Sequence, residues 1–313
     1  MTATKLLERH GIIMTIREIL ADIKSDRKKK VVLDTDTFNE IDDQYALAYC
    51  YVCDKIDLVA VHAAPYFNDR STSFEDGMIK SYNEIKKVLN LIDPNYTTPV
   101  FEGSRTTIEV SGGVVDSPAA RNLIDVVKNS DEIVYVLAIG AITNVVSALM
   151  MDPSIKDNMC VIWLGGNQLD SNNLGEFNLV QDFTGGQLLL NSGVPLLLCP
   201  AWFVTCVLTT NYENVCALKG HNQLCDYLFE ITDEVYRQAG SRPDWIRTIW
   251  DIGAPAILDC PECAEIEVVP TPVFTDQRIY AFDSTRHEML YLKSIDRETV
   301  YKATWNALFS LDK

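Results

Sequence analysis

The sequence predicts an α/β fold: a mainly parallel central sheet with helices on both faces, in a single large domain. Short uninterrupted apolar runs alternate with amphipathic stretches from residue 30 onward, the pattern of strands buried on both faces and joined by covering helices. No internal repeat, low-complexity linker or shift in composition divides residues 30–313. The chain has 313 residues, 47% of them hydrophobic, enough for one extensive core.

Residues 1–29 read as a helical N-terminal extension. Ile12, Ile13, Ile16, Ile19, Leu20 and Ile23 recur at near-helical spacing among charges, and Lys28, Lys29 and Lys30 close the segment. Predicted strands follow at Val31–Leu33, Leu58–Val61, Ile133–Ile139, Val161–Leu164 and Val194–Leu198. Helix-like stretches lie between and after them, at Gln44–Val52, Gly77–Leu91, Ala141–Met151 and Ala254–Leu258. In sheets of this kind ligands gather at the carboxyl ends of the strands, so the residues just after each run are the candidates for function.

Charge narrows the partners. A net charge of -17, from 27 basic and 44 acidic residues, repels phosphates and anionic lipid, so neither nucleic acid nor a membrane is an expected partner. No run of about twenty apolar residues is present to span a bilayer. Gly11–Met14, the longest apolar stretch near the start, is too short for a signal core, and a cytoplasmic location is expected. The nine cysteines are odd in number and scattered, unlike a disulfide framework. Cys50/Cys53 and Cys260/Cys263 have the spacing of zinc ligands, but Cys50 and Cys53 fall on the helix predicted around Gln44–Val52 and read as packing residues.

The densest chemistry follows the first strand. Asp34, Asp36, Glu40, Asp42 and Asp43 place five acids within ten residues. Such a group repels itself unless a cation sits among its members. A hard divalent ion, which takes six to eight oxygen ligands in the case of Ca²⁺, is the natural occupant. Asp42 and Asp43 would also begin a helix, where its dipole favours anions. Further on, Ile139-Gly140-Ala141-Ile142-Thr143-Asn144 follows a strand, with Thr143-Asn144 suited to cap the next helix. Glu176-Phe177-Asn178 reads as an extended stretch that points Glu176 and Asn178 to one side; together they offer the acceptors and donors that a sugar diol needs. Trp250-Asp251 precedes a helix-like stretch.

In this order, the patches resemble the inosine-uridine-preferring nucleoside hydrolase family, over roughly residues 30–313. Asp34, Asp36, Asp42 and Asp43 look like its Asp-x-Asp followed by an Asp-Asp pair, although Thr37-Phe38-Asn39-Glu40 replaces the usual Pro-Gly and makes the loop two residues longer. The resemblance implies a nucleoside-hydrolase-like fold and hydrolysis of the N-glycosidic bond of ribonucleosides to free base and ribose. It implies Ca²⁺ held by Asp36, Asp43, Asp251 and the backbone carbonyl of Ile139, with Asp36 as general base. Asp42, Glu176 and Asn178 would hold the ribose, with Asp170 (or Asn172 or Asn173 in its place) and Asn68 as further sugar contacts. Many members carry His before the last Asp; Trp250 stands there instead and is expected to stack on the base, with Trp202, Trp245, Tyr66 and Arg247 as possible neighbours. For Trp202, core packing is the expected alternative. The family also implies a homodimer or homotetramer and a place in nucleoside catabolism and purine salvage.

Two other readings stay open on sequence. Val31-Val32-Leu33-Asp34-Thr35-Asp36-Thr37 also fits the opening of a haloacid-dehalogenase-type phosphatase, with Asp34 as nucleophile and Mg²⁺ as cofactor. The longer loop and the missing His suit a ribosyl-binding protein on a degenerate hydrolase scaffold.

Overall fold

A computed structural model describes residues 14–311; Ile12 and Ile13 of the expected lead-in lie outside the described residues. Twelve strands are present among these residues. They are β1 (Lys29–Thr35), β2 (Ile56–Ala63), β3 (Val100–Phe101), β4 (Val134–Ala138), β5 (Met159–Leu164), β6 (Leu196–Cys199), β7 (Thr209–Asn211), β8 (Ile246–Thr248), β9 (Ala264–Pro270), β10 (Val273–Phe274), β11 (Tyr280–Ala281) and β12 (Glu288–Ile295). Eight of them form one sheet in the order β3-β2-β1-β4-β5-β6-β12-β9. All its pairs are parallel except the edge pair β12–β9. The mainly parallel sheet expected from the apolar runs is therefore what the chain forms, and the single-domain α/β architecture holds.

Alternation along the strands explains the two packed layers. Val31 and Leu33 of β1, Tyr135 and Leu137 of β4, and Ile162 of β5 belong to one apolar cluster. Val32, Val134, Val136, Val161 and Trp163 belong to the other, across the sheet. Successive side chains point to opposite faces, so strands with helices on both sides must be apolar throughout; β4 and β5 are buried along their whole length.

The helix Ile16–Ile23 begins with a capping box, Thr15 with Glu18. Its Ile19 and Ile23 are fully buried in the first cluster. Lys29 and Lys30, expected to end the lead-in, instead begin β1; Lys29 is buried, with its ammonium donating to the Ser25 carbonyl. The helix Asp42–Val52 is buried from Asp42 through Cys50, its polar first turn of Asp42, Asp43 and Gln44 included.

The path of the chain positions the site. From β1 the sheet grows one way through β2 to β3 and the other way through β4 to β6. The reversal between β1 and β4 opens a crevice at their carboxyl ends, where open α/β sheets bind ligands. All nine cysteines are free thiols. No helix among the described residues is long and apolar enough to cross a membrane.

Candidate active site

β1 delivers Asp36 just past its end, and the helix Asp42–Val52 begins with Asp42 and Asp43. β4 is followed by Ile139 and Gly140, and β5 ends at Leu164. A 3₁₀ turn, Trp250–Ile252, brings Asp251 in from the far end of the chain. Asp36, Asp42, Asp43, Ile139, Leu164, Trp250 and Asp251 line a single cavity of about 240 Å³, which Glu176 and Asn178 also line. Eight of the ten site residues expected from sequence thus converge: Asp36, Asp42, Asp43, Ile139, Glu176, Asn178, Trp250 and Asp251.

The acids form a buried electrostatic problem. Oxygens of Asp42, Asp43 and Asp251 lie within 4.8 Å of one another. Asp42 accepts from the Trp250 backbone N–H at 3.1 Å, and Asp43 from the Thr35 hydroxyl. Asp36 is 1% exposed, and its Oδ2 has no partner. Burial, then the Coulomb field of Asp43 and Asp42, holds the Asp36 carboxyl well above the usual range. Burial, with Asp42, Asp43 and Asp36 around it, does the same to Asp251. Asp42 is pushed up to about 8 by burial and then by Glu40 and Asp43, and Asp43 to about 7, chiefly by burial. No Lys, Arg or His lines the cavity among the described residues.

Carboxylates crowded this closely, with an unpartnered buried oxygen among them, fit a hard divalent cation better than they fit each other. The donor set is oxygen only, as calcium or magnesium requires and zinc does not favour. Asp42 belongs to this group geometrically, whereas the sequence assigned it to the sugar. Burial of all four cysteines of the CxxC pairs as free thiols supports packing for them; among the described residues the cluster with metal-ligand spacing is the aspartate one.

Several local details differ from expectation. Glu176 is not on an extended stretch. It caps the short helix Phe177–Gln181, and its carboxylate accepts from the backbone N–H of Asn178, Leu179 and Gly166 at 2.8, 2.9 and 2.9 Å. Burial raises its pKa to about 7 against the pull of those three donors. Asn178 donates to the carbonyls of Ile139 at 3.1 Å and Leu164 at 3.0 Å. The Ile139 oxygen expected to face a cation therefore already accepts one bond, and its second lone pair is left for a ligand.

Thr143 and Asn144 do not cap the helix Thr143–Met151, whose N-cap is Ile142. Thr143 instead donates to Asp182, and Asn144 bridges Ser104 to the Ala63 carbonyl. They tie the loops behind the site together.

Asp170 and Asn68 fall outside the lining. Asp170 is exposed on the loop after β5. Asn68 reaches the site only through Asn39, whose side-chain oxygen it donates to at 2.5 Å. Trp202, for which core packing was the alternative, is 52% exposed and lines the cavity, its ring edge-on to Trp250 with centroids 5.4 Å apart. Trp245 and Tyr66 are buried away from the lining, and Arg247 pairs with Glu40. Sequence reasoning overlooked Asn39 and Glu40 as lining residues; their place on the extended acidic loop was the available signal.

The phosphatase reading fails on geometry. Asp34 is fully buried, with neither carboxylate oxygen bonded, and it does not line the cavity. Burial lifts it to about 7. Its neighbour His62, Nδ1 at 3.9 Å, is held neutral by burial, with its pKa lowered to about 4. A nucleophile sealed from solvent cannot meet a substrate.

Comparison with known proteins agrees with this geometry. The family model described as inosine-uridine preferring nucleoside hydrolase matches residues 31–302. No curated protein matches in sequence. Among solved structures, a purine-preferring ribonucleoside hydrolase from Gardnerella vaginalis is similar at 18% identity and a TM-score of 0.71, covering 90% of this chain and 99% of its own. A protein titled inosine-guanosine nucleoside hydrolase is similar at 15% identity and a TM-score of 0.70, with coverage of 90% and 98%. An inosine-uridine preferring nucleoside hydrolase from Bacillus anthracis follows at 15% and 0.67, with coverage of 90% and 99%.

Proposed function

The chain belongs to the inosine-uridine preferring nucleoside hydrolase family, a family of hydrolases acting on N-glycosyl bonds, and from that premise we propose that it cuts ribonucleosides to free base and ribose with Asp36 as general base and Ca²⁺ as cofactor. The observation that carries this reading is the meeting of Asp36, Asp42, Asp43 and Asp251 in one cavity at the strand-order reversal of the sheet.

Asp36, Asp43, Asp251 and the Ile139 carbonyl would hold the ion, with Asp42 in reach; the ion would offset their charge and acidify a neighbouring water. Asp36 takes the proton of the attacking water, a role suited to its unpartnered Oδ2. Asp42 and Asn178 grip the ribose hydroxyls, which fixes the attack geometry. Glu176, tied to three backbone donors, sets the wall that carries Asn178 and leaves one lone pair, on Oε1, for a sugar hydroxyl. The surrounding carboxylates favour the positive charge that develops on the sugar as the C–N bond opens. Trp250 stacks on the base. Family resemblance further supports a homodimer or homotetramer in the cytoplasm, serving nucleoside catabolism and purine salvage.

A panel of inosine, guanosine, adenosine, uridine and cytidine, assayed for free ribose with and without a chelator, tests the proposal. Ribose release that the chelator abolishes and added Ca²⁺ restores is expected. Absence of ribose from every nucleoside, with Ca²⁺ present, would overturn it.

A further inference from the structure

Glu40 sits on the acidic loop that is two residues longer than the pattern it resembles, and its side chain lines the cavity. The loop is pinned. Phe38 holds a φ of 126°, a backbone region that favours glycine. Arg70 donates to the carbonyls of Phe38 at 3.3 Å and Glu40 at 3.0 Å, with its guanidinium 5.7 Å from the Phe38 ring. The Glu40 carboxylate accepts from Arg247 through Oε2; Oε1 carries no hydrogen bond among the described residues. Arg247 lies on β8, three residues before Trp250. Glu40 is therefore fixed beside the segment that presents Trp250 to the leaving base.

Six lining residues are acids, counting Glu40 and Glu176 with the four aspartates. A divalent ion and the Arg247 guanidinium bring three positive charges between them, so the cavity keeps a negative field. Trp250 and Trp202 line the same cavity edge-on to each other, with ring centroids 5.4 Å apart, and an indole face turned to the ligand adds the negative side of its ring quadrupole. The position before Asp251 offers an indole, whose N–H is too weakly acidic to protonate a departing base. A neutral purine must gain a proton as it leaves; a base joined to ribose while its ring is already positive needs none.

Resting on the hydrolase reading, we propose that Glu40, set by Arg247, makes this site select ribosyl compounds whose base carries a positive charge on its ring. Water oxygen bonds to C1′ while its proton passes to Asp36. The C1′–N bond breaks, its electron pair stays on the ring nitrogen, and the base departs neutral.

The test compares kcat/KM for 7-methylinosine and inosine, at a pH where the methylated ring is cationic. The two substrates share a skeleton, so comparing their ratio between wild type and variant removes intrinsic reactivity. Glu40→Gln lowers the cationic-to-neutral ratio roughly tenfold. Arg247→Met, which strips the counter-charge, raises it. Ratios unchanged in both variants overturn the selection by Glu40 while inosine cleavage leaves the hydrolase reading standing. No ribose from either substrate with wild type overturns both.

Discussion

Asp36→Asn separates activity from stability at this site. The side chain is 1% exposed, its Oδ2 is unpartnered, and burial and the fields of Asp43 and Asp42 oppose its ionisation. An amide of the same shape removes one buried charge from the repelling group. Each pKa unit of upward shift corresponds to about 1.4 kcal/mol against the charged form, so the metal-free variant is more stable than wild type above neutral pH. Catalysis moves the other way. Loss of a general base costs about 10²–10⁴ in rate, and a weaker cation site adds to that, for a total of at least about a thousandfold, or roughly 4 kcal/mol in the barrier. Ribose release measured under kcat/KM conditions gives the first quantity; thermal midpoints with chelator at pH 6 and pH 9 give the second. Turnover within tenfold of wild type, or a metal-free midpoint at pH 9 below that of wild type, would refute the reasoning.

Other perturbations follow from the same geometry. A Cβ on Gly140 would meet Asp36 Cγ at 3.1 Å and its backbone N at 3.2 Å; Gly140→Ala should shift the carboxylate by tenths of an ångström and lower kcat about tenfold, and an unchanged kcat would show that Asp36 need not be held so tightly. Trp250→Ala should reduce kcat/KM for purine nucleosides more than for pyrimidine nucleosides; equal losses would end the stacking role. Because burial raises Asp42 to about 8 and Asp43 to about 7 from 3.8, the folded metal-free protein binds more protons than the unfolded chain between those values. Its stability is full below about pH 4 for these groups and is lost as pH rises towards 8. Saturating Ca²⁺ should restore about 2.7 kcal/mol at a hundredfold excess over Kd, read as a thermal midpoint rise that is larger at pH 8.5 than at pH 5.5; a rise independent of pH would contradict the shared site.

The acids were legible because charge density right after a buried strand has few physical explanations, and the apolar runs fixed where that strand lay. Asp251 was legible only through its resemblance, since nothing local to Trp250-Asp251 says that the Trp250 N–H donates to the carboxylate of Asp42, 208 residues away. Glu176 was misplaced for a similar reason. Its partner Gly166 lies ten residues back across a loop, and alternation in sequence cannot reveal that the carboxylate folds onto backbone donors to start a helix. Asp170 and Asn68 missed the cavity because loop length, unlike strand or helix period, sets no direction for a side chain. Asn39 and Glu40 line it because the lengthened loop turns at Phe38 through a backbone angle that composition does not announce.

A calorimetric titration of the metal-free protein with Ca²⁺, beside the Asp251→Asn variant, tests the convergence of the acids most directly. One ion per chain is expected, bound with proton release because the aspartates are partly protonated without it, and at least about tenfold more weakly by the variant. Equal affinity in the two proteins, or no binding by either, would contradict a site built from both ends of the chain.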